Sequence, residues 1–446
     1  MARILISSLG TGALQANSES AREYRKTTYK FQQNGKDYTT SFVSTALCEH
    51  LQVDKLFLVG TSKSMWEEVY NYFATKSNQP FNYDYWADLG EKVSLFTLEK
   101  PKVKQNDLQE VAAAIDAYLK HIRESATGGS KCYIIDYGLN EEEIWRNFDV
   151  FMHIGESIAE DDEVYLDITH AFRSIPLFNY LMLDLISILK FKNNFRLAGL
   201  FYGMLEAAKD VGYAPIIDLT PLYNLTLWTR GAYNFINFGN GYQLAEVIND
   251  SIISGLIIKI SDMVNLNYVK EFKTEVDRLE NLLKQQQTNE HVLKYMQPYL
   301  DSYISSFKRV SSSSELQFAL AKWYYENKRF SQAYICLAES IISKILEIYR
   351  EKDARIRWSR TNSNKVRDLI INQFRHSDFS KIHEEYDIIS KRRNNIAHAG
   401  FMDGDSYDFC IRDFDDRYNR VEQYVFKNKA LKKIPELYPF NKLRAY

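Results

Sequence analysis

Apolar residues form short, nearly unbroken runs through the first half of the chain, then recur three or four residues apart through the second. The runs occupy residues 3–9, 55–59, 93–98, 132–137, 163–168 and 197–202. Strands covered on both faces read this way, because neither face has to alternate with water. Between the runs, helical patterns span 41–52, 65–76, 105–124, 141–160 and 171–190. Alternation of this kind predicts a doubly wound α/β domain with a parallel sheet. The stretch from Tyr29 to Thr40 differs, with alternating positions around Asn34-Gly35. It predicts a β-hairpin, since Asn-Gly supplies the positive φ angles of a tight turn.

From about residue 225 the strand signal fades. Within 316–349, Leu316, Leu320, Trp323, Leu337, Ile341 and Ile345 trace one broad apolar face. Ser311-Ser312-Ser313-Ser314 ahead of it offers a hinge and a helix N-cap. The expected architecture is α/β plus all-α: an α/β domain over 1–220, a helical connector over 221–310 and a helical domain over 311–446.

Composition narrows the class. The 446 residues carry 56 Lys+Arg against 58 Asp+Glu, a net charge of -2, so no global field draws the protein onto nucleic acid or anionic lipid. Any polyanion has to be met by local clusters. No span approaches the roughly 20 apolar residues of a bilayer helix, and the apolar run after Arg3 is too short for an export signal. Cys48, Cys132, Cys336 and Cys410 are far apart and form no CxxC pair, as expected of reduced thiols in a cytoplasmic protein.

Ligands of open α/β sheets bind at the carboxyl ends of strands, which directs attention to three polar loops. Gly10-Thr11-Gly12 follows the first run, Gly60-Thr61-Ser62-Lys63-Ser64 the second, and Asp167-Ile168-Thr169-His170-Ala171-Phe172-Arg173-Ser174 the fifth. Glycines admit close backbone approach, and hydroxyls, Lys63 and Arg173 are donors suited to phosphates. Ser64 with Glu67 fits a capping box. The third glycine of a dinucleotide fingerprint is missing. The loops therefore predict a phosphate- or nucleotide-containing ligand other than NAD, held without a metal cluster or an acid–base pair.

In the second half, Arg393 stands five residues before His398, with Asn394 between them and Gly400 placed to end the helix. Residues five apart on a helix point about 140° away from each other, whereas Asn394 and His398, four apart, share a face. One helix thus presents an incomplete site, which two copies across a two-fold axis would complete. Histidine can shuttle protons near neutral pH, and a guanidinium can stabilise a phosphorus-centred transition state. These types suit metal-free RNA cleavage; a solvated helix end is the plain alternative. Upstream, Arg355, Arg357, Arg360, Lys365 and Arg367 surround Trp358 with no acid among them. That composition suits a single-stranded RNA backbone with base stacking, and equally a solvated loop.

Together these stretches resemble the CRISPR-associated CARF–HEPN ribonucleases of type III systems. The resemblance is carried by Gly60-Thr61-Ser62-Lys63-Ser64-Met65-Trp66, by Asp167 to Pro176, by Tyr202-Gly203-Met204-Leu205-Glu206-Ala207, and by Arg393-Asn394-Asn395-Ile396-Ala397-His398. It implies a Rossmann-like CARF sensor domain that dimerises and binds a cyclic oligoadenylate activator. The matching positions are Gly10, Thr11, Gly12, Thr61, Ser62, Ser64, Thr169, His170 and Arg173. It also implies a C-terminal HEPN domain whose Arg393, Asn394 and His398, one set per protomer of a homodimer, cut single-stranded RNA to a 2′,3′-cyclic phosphate. No cofactor, metal, DNA or membrane partner is expected. Two other readings fit the same residues: a non-catalytic nucleotide-sensing or RNA-binding regulator, and a CARF-pocket enzyme that degrades the messenger.

Overall fold

The computed structural model describes residues 1–14, 23–31, 36–78, 80–170, 174–189, 196–285, 291–305, 307, 310–398, 400 and 406–444. The chain divides into two compact units, Met1–Tyr223 and Asn224–Tyr446. The first holds strands β1 (Arg3–Leu9), β2 (Thr27–Phe31), β3 (Asp37–Thr40), β4 (Lys55–Gly60), β5 (Lys131–Ile134), β6 (Glu163–Asp167), β7 (Arg196–Gly203) and β8 (Ala214–Asp218). They form one sheet in the order β3-β2-β8-β7-β6-β1-β4-β5. The run from β7 to β5 is parallel, β8 is antiparallel to β7, and the hairpin β2–β3 joins through β8.

Helices α1 (Ser44–Leu51), α2 (Trp66–Lys76), α3 (Tyr83–Ser94) and α4 (Gln109–Ile122) share one core with Leu5, Leu9, Leu56 and Leu58. The alternate residues Ile4, Ile6, Phe57 and Val59 point to the opposite face and are buried there too. Burial on both faces is why these strands read as unbroken apolar runs. Helices α5 (Glu141–Glu156) and α6 (Ser174–Leu189) pack together, with Phe151 and Phe178 edge to face at 5.3 Å. A short α7 (Ala208–Val211) precedes β8.

The α/β reading of this half is borne out, with local corrections. Residues 93–98 are not a strand. Asn82 caps α3 by accepting the Tyr85 N–H at 3.1 Å, and the buried Leu89 and Val93 sit four apart on that helix. Leu95 and Leu98, beyond its end, are exposed. The strand β8 carried no signal that separated it from a loop. The turn Asn34-Gly35 lies outside the described residues, although the antiparallel pairing of β2 with β3 agrees with the hairpin.

After the β2–β3 hairpin at the far edge, the chain runs through β4 and β5 on one side of β1, then returns to β6 on the other. The carboxyl ends of β1 and β6 therefore flank the reversal of strand order, where open α/β sheets form their crevice.

The second unit is helical. It comprises most of α8 (Thr220–Phe238), then α9 (Tyr242–Val247), α10 (Ser251–Leu266), α11 (Phe272–Gln285), α12 (His291–Ser305), α13 (Ser313–Glu326) and α14 (Phe330–Lys352). After these come α15 (Arg360–Asp368), α16 (Ser380–Ala397), α17 (Tyr407–Arg412), α18 (Phe414–Val421) and α19 (Ile434–Leu437). Ser312 caps α13 by accepting the Glu315 N–H. Residues 221–310, set apart as a connector from sequence, share a single core with the helices of 311–446, extending from Trp228 to Leu443. The Tyr324 hydroxyl, for example, donates to the Val264 carbonyl at 2.9 Å. All four cysteines are buried thiols, and no described helix is long and apolar enough to cross a membrane.

Candidate functional site

At the end of β1, Thr11 and Gly12 are exposed and Gly10 is half-buried. Gly12 has φ +66°, and a Cβ there would lie 2.4 Å from the Tyr24 ring and 2.7 Å from the Met65 Sδ. Only glycine fits. The Tyr24 hydroxyl in turn donates to the buried Glu67 at 2.6 Å. Glu67 is thus tied to the β1 loop and does not close a capping box with Ser64.

The second loop faces inward. Ser64 Oγ accepts the Thr61 N–H at 3.0 Å and donates to the Leu9 carbonyl at 2.7 Å, fastening the β4 loop to β1. Ser62 Oγ donates to the Val103 carbonyl at 2.9 Å and accepts the Val103 N–H at 3.0 Å. Thr61, Ser62 and Ser64 are each less than 5% exposed. Their hydroxyls shape the rim and do not line it. Lys63, between them, is exposed, with its ammonium 5.9 Å from the Phe96 ring centroid.

At the end of β6, Asp167 is fully buried; it accepts the Ser7 hydroxyl at 2.6 Å and the Thr169 N–H at 2.9 Å. Burial raises its pKa, against the His170 charge and these hydrogen bonds. Thr169 Oγ1 also accepts the Gly203 N–H at 2.7 Å, which ties β6 to β7. The His170 Nε2 accepts the Val43 N–H at 3.4 Å and lies 3.4 Å from the Tyr29 hydroxyl. Burial holds this imidazole below its ordinary range, although the Asp167 charge works the other way. A neutral ring that accepts a backbone N–H is a positioning element and not a proton shuttle. Asn179 on α6 went unnoticed in the sequence. It is fully buried, donates to Ser8 Oγ at 2.8 Å, and its Oδ1 has no hydrogen-bond partner among the described residues. The signal was Ser7-Ser8, two hydroxyls inside an apolar strand. Arg173 lies outside the described residues.

Helix α16 presents the second group. Ile382, Tyr386 and Ile389 bury its apolar stripe, and Arg392 occupies the next position on that face at 5% exposure. Arg392 pairs with Asp413 and stacks over Phe409 at 4.8 Å. Asp413 also accepts from Arg417 at 2.8 Å, and Arg417 reaches Glu385 at 2.7 Å. Burial outweighs the Arg417 and Arg420 charges and raises the Glu385 pKa. This network fixes the rotation of α16. Arg393 is consequently half-buried, with an Nε that has no hydrogen-bond partner among the described residues, while Asn394 and His398 are exposed. The His398 N–H donates to the Asn394 carbonyl at 2.9 Å, and Gly400, at φ +74°, ends the helix with a 2.9 Å bond to the Asn395 carbonyl. Of the other histidines, His50 stacks on Phe31 at 3.5 Å and His383 bonds the Ile370 carbonyl at 3.1 Å.

Residues 4–206 match the family described as the CARF domain of CRISPR system endoribonuclease Csx1. Residues 224–314 match the second domain of CRISPR-associated protein MJ1674. The chain is also 38% identical over 405 residues to CRISPR-associated protein MJ1674 of Methanocaldococcus jannaschii. This chain therefore contains a CARF domain similar to that of CRISPR-associated proteins. The alignment with MJ1674 covers 90% of the chain and 62% of that relative, so the chain spans less than two thirds of its length. Among solved structures, Enterococcus italicus Csm6 bound to cyclic hexa-2′-fluoro-hexa-dAMP matches with a TM-score of 0.42 and 12% identity, covering 99% of each chain. The CARF match ends at residue 206, within three residues of Gly203, and so takes in all three strand-end loops.

Proposed function

We propose that this CARF protein is a ribonuclease switched on by a cyclic oligoadenylate, acting as a cytoplasmic homodimer in type III CRISPR defence. The messenger is read at the carboxyl ends of β1 and β6. There the exposed Thr11 and Gly12, with Lys63 nearby, offer backbone and cationic donors, and every carboxylate of the three loops is committed to internal hydrogen bonds. Gly10 and His170 adjoin, since a Cβ on Gly10 would lie 3.6 Å from that of His170. Arg173 would add a guanidinium to the phosphates.

The observation that carries the nuclease half is the end of α16, where Asn394 and His398 are exposed beside a half-buried Arg393. The substrate's own 2′-oxygen attacks phosphorus as His398 takes its proton. The P–O5′ bond breaks, and the partner's His398 protonates the leaving 5′-oxygen. The products are a 2′,3′-cyclic phosphate and a 5′-hydroxyl, with no metal in the reaction. Arg393 stabilises the charge on the phosphorane, and Asn394 orients the imidazole or a phosphate oxygen. A messenger activates only if it binds the cleaving arrangement of the dimer more tightly than the resting one.

Incubating the purified protein with labelled single-stranded RNA and cyclic oligoadenylates of several ring sizes, while following RNA and messenger together, tests the proposal. One ring size is expected to trigger cleavage, His398→Ala to abolish it with messenger binding retained, and Arg173→Ala to raise the activating concentration. Cleavage that persists in His398→Ala removes the assigned nuclease site. Messenger loss without RNA cleavage would instead make the CARF pocket the enzyme.

A further inference from the structure

A cavity of about 560 Å³ opens within the second unit, inside the roughly 300–1,000 Å³ range of ligand sites. Lys270 and Lys273 line it from the start of α11 and the turn before it. Gln317 of α13, Ile335 and Glu339 of α14, and Trp358 from the segment before α15 form other walls. The cavity therefore takes in Trp358, the aromatic residue set within the basic run that no role has yet absorbed.

The lining favours a planar base over a bare phosphate. Ser311, ahead of α13, donates both its N–H and its hydroxyl to Glu315, at 2.9 and 2.7 Å. That helix start is already filled by a carboxylate, and it holds no anion. Trp358, by contrast, exposes 41% of its surface, and the Arg350 guanidinium lies over the ring at 5.4 Å. An indole held in this way is a stacking platform. The buried Gln317 Oε1 has no hydrogen-bond partner among the described residues, which leaves unused amide capacity beside the platform.

The charges around it separate into committed and available. Arg355 forks onto Asp353 at 2.9 and 3.0 Å, and Arg367 neutralises the wall carboxylate of Glu339 at 2.6 Å. Arg357 and Arg360, on either side of Trp358, are exposed and have no ion-pair partner among the described residues. An aromatic platform flanked by available cations is the composition of a single-strand binder, with stacking for the base and guanidinium for the backbone.

We propose that this cavity is a nucleobase subsite for the single-stranded RNA, with the base stacked on Trp358 and the adjoining phosphates met by Arg357 and Arg360. It rests on the ribonuclease reading of α16 and gives that reading a recognition element.

The test uses the full chain carrying His398→Ala, so that RNA is bound and not cut, with Trp358→Ala or Trp358→Phe added. Affinity for a fluorescent single-stranded RNA is expected to fall about tenfold or more with alanine and to be largely kept with phenylalanine, as loss of one stacked base predicts. In the active chain Trp358→Ala should raise KM and leave kcat close to its original value. RNA carrying 4-thiouridine should crosslink to peptides containing Trp358 or Gln317. Equal affinity of the alanine and parent chains, or crosslinks confined to other peptides, overturns the subsite while leaving cleavage by His398 intact. Trp358-dependent binding in a chain that never cleaves upholds the subsite and sinks the nuclease reading. Displacement of the RNA by AMP or UMP at comparable concentration marks a free-nucleotide site and overturns the RNA assignment.

Discussion

Replacing Ser64 by alanine removes one oxygen atom from the junction of β1 and β4, and its cost can be worked from the contacts. The hydroxyl accepts the Thr61 N–H at 3.0 Å and donates to the Leu9 carbonyl at 2.7 Å. Thr61 is 3% exposed and Leu9 4%, so neither orphaned group turns to solvent. The space is tight as well, since a Cβ on Gly60 would stand 2.8 Å from that oxygen. The void left by one oxygen is smaller than a water requires. An unsatisfied buried polar group costs about 1–3 kcal/mol, and partial relaxation keeps the pair of them to about 2–4 kcal/mol. For a unit of this size that corresponds to a fall of roughly 5–15 °C in its melting temperature. Differential scanning calorimetry of the full chain should show one transition moving by that amount, with messenger affinity weakened only as far as the loop loosens. A shift below about 1 °C would refute the reasoning. So would a large loss of messenger affinity at unchanged stability, because the hydroxyl would then be contacting the ligand and not supporting the loop.

Gly12→Ala is expected to destabilise the first unit by about 2–4 kcal/mol, given the positive φ and the 2.4 Å clash with Tyr24, and to impair messenger binding. Gly212→Ala is the control: its φ is +84° but nothing lies within 4 Å, so thermal unfolding should register only about 1 kcal/mol. Arg392→Met leaves the half-buried Asp413 with Arg417 alone and should cost about 2–4 kcal/mol in urea unfolding. Arg393→Met should abolish cleavage at little cost in stability, and equal losses of stability in the two variants would contradict the division of roles. His170 titrates below its unfolded value, so its contribution is complete above about pH 6.5 and is lost as pH falls through its folded pKa. Asp167, raised when folded, contributes with the opposite sign, fully below about pH 3.8 and less as pH rises through its folded value. Between pH 7 and 5.5 the parent chain should therefore lose more thermal stability than His170→Gln, and parallel curves would exclude the neutral-imidazole assignment.

The parallel strands and most helices were legible in the sequence because their signals are local. A strand buried on both faces has to be apolar throughout, and an amphipathic helix repeats every three or four residues. The same locality carried the strand-end loops, the Ser312 cap and Gly400 as the end of α16. Where a pattern was short and ambiguous, as at residues 93–98, packing decided it: Leu89 and Val93 belong to one helical face that begins ahead of that window.

Long-range partners and the direction of individual side chains were decided only by the tertiary structure. Thr61, Ser62 and Ser64 read as ligand donors, yet the Ser64 and Ser62 hydroxyls bond the Leu9 and Val103 carbonyls, and Thr61 Oγ1 lies 3.4 Å from Ser64 Oγ, so all three turn inward. Ser7 meets Asp167 across 160 positions of chain, and Arg392 and Arg393 differ in burial because Asp413 waits on one side of the helix alone. Sequence determines which groups are available and where along an element they fall. A buried polar group must be paired, however, and the partner that satisfies it is supplied by the fold.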